Sequence, residues 1–257
     1  MTTTIRIERA SLFLLCASVT LVFGFGAPHL GFYYEDSAYM TSLTSANLST
    51  FWELFAHGSV PGRNLYVVWK GVLYKLVGNP ASHLVALHVI QSFIDSFIVA
   101  AFFAVLRRLG ASAASSFIAA GLFAFWPTHG ETHYWTPGTP YNLSTLFLLL
   151  FILTSIRLLR APATQLWVWV FDALLFACAL YTYDQLVIFI AILLVVRLSV
   201  LIVHAPRRAL AILVGHLFQL SLSVLYFIQK VAPTRQGPVL TGQTLANLWP
   251  NWTCPPN

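Results

Sequence analysis

Acidic residues are scarce in this chain: 8 Asp and Glu in 257 residues, with charged residues of either sign making up only 9%. So little charge is incompatible with a soluble domain of this size. Apolar stretches of about 18 residues or more recur instead, the signature of membrane-spanning helices. Those stretches are continuous rather than alternating, which excludes a transmembrane β-barrel. Cysteine is nearly absent too. Cys16 and Cys178 fall inside apolar segments and Cys254 lies in the tail, so neither a disulfide framework nor a metal-ligand spacing follows. There is no internal repeat and no low-complexity segment. The N-terminal apolar run shows no small-residue cleavage site, and it is long enough to span. It reads as a retained first helix, not a signal peptide.

What is present is apolar: 58% of residues are hydrophobic and the mean hydropathy is +0.76. The pattern predicts an all-α, polytopic transmembrane bundle of about seven spans, near 10–30, 82–106, 112–126, 142–159, 166–182, 185–203 and 209–228. Pro127 stops the third span, and a tight turn around Tyr183-Asp184-Gln185 separates the fifth from the sixth. Residues 1–228 form the membrane domain and 229–257 a tail. The net charge of +6 sits in short basic clusters between apolar runs, the pattern of loop anchors and not of a nucleic-acid partner. The pairs Arg6/Arg9, Arg107/Arg108, Arg157/Arg160 and Arg207/Arg208 share one side if seven helices alternate. The positive-inside bias makes that side cytoplasmic, with the N-terminus on it. Loops 31–81, 127–141, the turn at 184 and the tail then face outward, most naturally from a bacterial inner membrane.

The first outward loop is long. Ser42 to Phe55 has amphipathic character, and Leu65 to Val77 is apolar but carries Lys70 and Lys75, as expected of a helix lying in the interface. Tyr33, Tyr34, Trp52, Tyr66, Trp69 and Tyr74 suit the headgroup level.

Four polar constellations fall on the outward side. Glu35-Asp36 follows the first helix directly. Two adjacent carboxylates repel, so near a low-dielectric surface at least one is expected to have a raised pKa unless a cation or metal joins them. Such a group can take a proton from a hydroxyl; a helix-capping or solvated acid pair is the alternative. The turn Pro127 to Trp135 offers His129, Glu131 and His133 as metal ligands or proton carriers, against a plain interfacial turn. No HExxH pattern supports a dedicated zinc site there. Asp184 closes a polar run from Tyr181, and an acid at membrane depth needs a cavity or a partner. Arg63 is an outward arginine, held by a carboxylate, a phosphate or a lipid headgroup. Deeper in the bundle, Asp95 and Asp172 read as interhelical hydrogen-bonding groups. Asn47-Leu48-Ser49, Asn142-Leu143-Ser144 and Asn251-Trp252-Thr253 match the glycosylation pattern, which carries little weight alone.

In order, these features resemble the membrane glycosyltransferases of the GT-C class, which includes the protein O-mannosyltransferases. The resemblance rests on the acidic pair Glu35-Asp36, Arg63 before an interfacial segment, the turn Gly78-Asn79-Pro80-Ala81 leading to His88, and Arg107-Arg108-Leu109. It continues through Pro127, His129, Glu131 and Trp135, and through Asp184, covering roughly residues 10–200. Asn64 departs from the family's frequent Pro and Asp184-Gln185 from its frequent Lys-Glu pair, and family members usually have more helices and a longer C-terminal part, so a truncated or reduced member is expected.

The resemblance implies a polyprenyl-phosphate-linked sugar donor and an acceptor protein, glycan or lipid. It makes Asp36, assisted by Glu35, the catalytic base, with Arg63, His88, His129, Glu131 and Asp184 binding substrate. A divalent metal held by Glu35, Asp36 and His129 is a further expectation. The rival readings are a transporter using His88, Asp95 and Asp172 as an ion path, and a non-catalytic subunit of an envelope glycan assembly system.

Overall fold

A computed structural model of the chain describes residues 2–25, 27, 52, 64–77, 84–126, 139–160, 166–183, 192, 194–196, 199, 203 and 209–231. All regular structure among them is helical. We number the helices α1 (Thr2–Phe25), α2 (Asn64–Val77), α3 (Leu84–Leu109), α4 (Ala113–Ala124), α5 (Thr139–Arg160), α6 (Leu166–Thr182) and α7 (Ala209–Val231).

Three of them are long and apolar enough to cross a membrane, over Glu8–Phe25, Val85–Leu109 and Thr139–Leu158. Helix α4 falls short of the span expected over 112–126. Its 12 residues extend about 18 Å against a hydrocarbon thickness of about 30 Å. Of the apolar run at 185–203, too few residues are described to define a helix.

Helix α3 lies at the centre, packed by α1, α4 and α5, and α6 and α7 follow outward from α5. Leu15, Val19 and Phe23 of α1 meet Val99 and Phe103 of α3 and Ala120 and Ala124 of α4. On another face of α3, Ile98, Ala101 and Val105 pack on Leu149 of α5. Phe151 of α5 then packs on Phe176 and Leu180 of α6, which in turn reach Tyr226 of α7. Large apolar side chains also point outward, Phe13 at 71% exposure and Phe97 at 62%. That is the reverse of a soluble protein and the natural state of a helix bathed in lipid.

The α1–α3 pair runs antiparallel and approaches closely. Thr20 and Ser96 share a hydrogen bond of 2.7 Å between hydroxyls, and Ser96 Oγ also donates to the Cys16 carbonyl at 3.0 Å. A Cβ added to Gly24 would stand 3.4 Å from Ser92 Oγ. Small residues at the crossing let the backbones approach, as is usual where lipid supplies no hydrophobic drive between helices.

One end of the bundle is marked by an ion pair. Arg107 Nη2 donates to Glu8 Oε1 at 2.6 Å, tying the start of α1 to the end of α3. There α3 stops at Gly110, whose φ of +101° is left-handed and favours glycine. After it Arg107 Nη1 bonds the Ala111 carbonyl, and Ser112 caps α4 by accepting from the Ser115 amide at 3.1 Å. Arg6/Arg9 and Arg107/Arg108 were expected on one side of the membrane, and the Glu8–Arg107 pair brings those two helix ends together.

Candidate functional site

The opposite end of the bundle is closed by α2. Its residues Tyr66, Val67 and Tyr74 pack on Leu87 in the first turns of α3. Trp69 stacks on Phe147 of α5 at 5.4 Å, and its Nε1 donates to Thr182 Oγ1 at 3.1 Å, the last residue of α6. A short helix thus rests on α3, α5 and α6 together, at the end where α3 and α5 begin and α6 finishes. Beside it the rings of Tyr141 and Tyr183 meet edge-on at 3.8 Å. The helix expected over Leu65 to Val77 is present, but its lysines differ. Lys75 is exposed, whereas Lys70 is 2% exposed. The inward turn of α2 that buries Tyr66 and Tyr74 also carries Lys70, at i+4 from Tyr66, so its Nζ lies 4.9 Å from the Tyr66 ring.

Below α2, one face of α3 is polar. His88, Gln91 and Asp95 stand at i, i+3 and i+7, which aligns them along the helix, and all three are buried. Gln91 Nε2 donates to Asp95 Oδ1 at 3.0 Å, and Asn142 Nδ2 of α5 donates to the same oxygen at 2.6 Å. Neither His88 ring nitrogen has a hydrogen-bond partner among the described residues, nor does Gln91 Oε1. Burying unpaired polar atoms is unfavourable, by roughly 1–3 kcal/mol each in proteins. Such atoms at one end of a bundle are where a ligand or water would bind.

A second buried acid lies in the α5–α6–α7 layer. Asp172 Oδ1 accepts from Thr154 Oγ1 at 2.7 Å and its Oδ2 from Gln219 Nε2 at 2.8 Å. Both deep carboxylates therefore bridge helices, as expected for Asp95 and Asp172.

Of the predicted site residues, His88 is described; Glu35, Asp36, Arg63, His129, Glu131 and Asp184 lie outside the described residues. Among the described residues no three or more His, Cys, Asp or Glu side chains group to hold a metal. Gln91 was not singled out from sequence, and Lys70 was marked there only as a cation of the interfacial helix. The signal for Gln91 was present in its helical spacing between His88 and Asp95, whereas nothing local marks Lys70 as the lysine that turns inward. Asn142, matched above to a glycosylation triplet, is 7% exposed and spends its amide on Asp95. No protein-family model, curated protein or solved structure matches the chain.

Proposed function

We infer that this chain is an integral membrane glycosyltransferase that moves a sugar from a polyprenyl-phosphate donor to an acceptor hydroxyl on the face where α2 lies, inverting the anomeric carbon. One observation carries the reading: α2 roofs the ends of three helices directly above a buried polar face whose His88 has two ring nitrogens without hydrogen-bond partners among the described residues. In sequence, Arg63 adjoins Asn64, the first residue of α2, and Asp184 adjoins Tyr183, whose ring meets Tyr141 beside α2.

In the proposed reaction Asp36, assisted by Glu35, takes the proton of the acceptor hydroxyl as that oxygen bonds to the anomeric carbon. The bond from that carbon to the phosphate oxygen breaks on the opposite face, which inverts the centre. The leaving polyprenyl phosphate gathers negative charge, and Arg63 stabilises it. In this reading His88, His129, Glu131 and Asp184 bind and orient the sugar. Glu35, Asp36 and His129 form an oxygen and nitrogen donor set suited to a divalent cation, which when bound would add charge stabilisation at the phosphate.

The transporter reading draws less support. Asp95 and Asp172 each already accept hydrogen bonds from two neighbouring side chains, which suits stitching between helices.

Incubating the purified protein with a panel of radiolabelled lipid-linked sugars tests the reaction. One donor should transfer label, and Asp36→Ala should reduce that transfer by at least about a thousandfold while the protein still inserts. Near-normal transfer by the variant would remove Asp36 from the base role.

A further inference from the structure

On the lipid-facing side of the α1–α3 pair, away from α2, the two helices leave an open groove of about 620 Å³. Its floor is made of the small residues at the crossing, Cys16, Ala17 and Ser96, and its walls are Phe13, Phe93 and Phe97. Along α1 it extends from Arg9 to Leu21, about 18 Å of helix. That length is close to one leaflet of a hydrocarbon core about 30 Å thick. Both walls belong to helices long and apolar enough to cross a membrane.

The charge at the rim identifies the occupant. Arg9 lines the groove at its end nearest the Glu8–Arg107 pair, and it is exposed. Its neighbour Glu8 is already engaged by Arg107, so the nearest carboxylate in sequence does not neutralise it. An apolar channel one leaflet long with a guanidinium at its mouth matches a hydrocarbon chain joined to an anionic phosphate. We propose that this groove binds an anionic phospholipid from the leaflet in which Arg9 sits, the chain lying between Phe13 and Phe97 and the headgroup on Arg9. The site is separate from the α2 end and stands whatever reaction occurs there.

The test uses the full chain in detergent, offered equal amounts of phosphatidylglycerol and phosphatidylcholine with identical acyl chains and read by native mass spectrometry. The wild type should retain the anionic lipid about fivefold over the zwitterionic one, the scale expected of one basic side chain near a membrane surface. Arg9→Gln should bring the ratio to about one, while Arg108→Gln, an exposed arginine near the same end but outside the groove, should leave it unchanged. Phe13→Ala should lower retention of both lipids alike; Phe13 is exposed, so its truncation removes groove wall and little core. Equal retention of the two lipids by the wild type would overturn the proposal. So would a preference that survives Arg9→Gln, an equal loss in Arg108→Gln, or undiminished retention by Phe13→Ala.

Discussion

Two kinds of buried polar residue occur in this bundle, and they obey different physics. Asp95 and Asp172 accept hydrogen bonds from side chains on other helices, so removing either would leave buried donors unsatisfied. His88 is equally buried, yet neither ring nitrogen has a partner among the described residues. His88→Leu should therefore leave thermal stability in detergent within about 1 kcal/mol of wild type, or raise it, because no hydrogen bond to a described residue is lost and a buried polar ring is replaced by an apolar side chain. On the glycosyltransferase reading the same change should cut sugar transfer at least about tenfold. A large loss of stability would instead make His88 a structural residue. Lys70 is the companion case: nothing in its sequence neighbourhood distinguishes it from Lys75, and only the docking of α2 buries one and exposes the other.

At the level of elements, α2 decides the shape of the candidate site. Its helical span was legible in the sequence, since Leu65 to Val77 lacks Pro and keeps an apolar stripe. Its seat was not legible. Sequence alone suits Trp69 to the headgroup level; only the fold shows that its half-buried indole donates to Thr182 and meets Phe147 at a tilt. A double-mutant cycle of Trp69→Phe and Thr182→Val should give a coupling of about 1 kcal/mol, read from thermal unfolding in detergent. A coupling near zero would mean that α2 is held by apolar contact alone. Helix α4 is the element that sequence length overestimated. The apolar run from Ser112 to Trp126 is continuous, but the Ser112 cap and the end of the helix at Ala124 leave too short a rod to span on its own.

For the whole molecule, the question is which way the bundle sits. The Glu8–Arg107 pair and the α2–Thr182 contact mark opposite ends, and the four arginine pairs predict which end is cytoplasmic. In a background with the native cysteines replaced, a single cysteine at Ser112 should react with a membrane-impermeant maleimide only after the cells are opened. One at Lys75 should react in intact cells with the outer envelope permeabilised. The reverse pattern would invert the topology and move the proposed active face to the cytoplasm.

Class, helix content and most helix positions were set by the sequence itself, because a chain this apolar must satisfy its backbone within helices once water is withdrawn. Local composition also marked Asp95 and Asp172 as groups needing a partner within the bundle, and the bonds to Asn142, Thr154 and Gln219 supply those partners. Which lysine turns inward, which amides reach Asp95, and that His88 has no hydrogen-bond partner among the described residues were decided only by the tertiary structure. These outcomes depend on contacts between residues far apart in the chain, such as Asn142 with Asp95 and Thr182 with Trp69, and no local pattern encodes them.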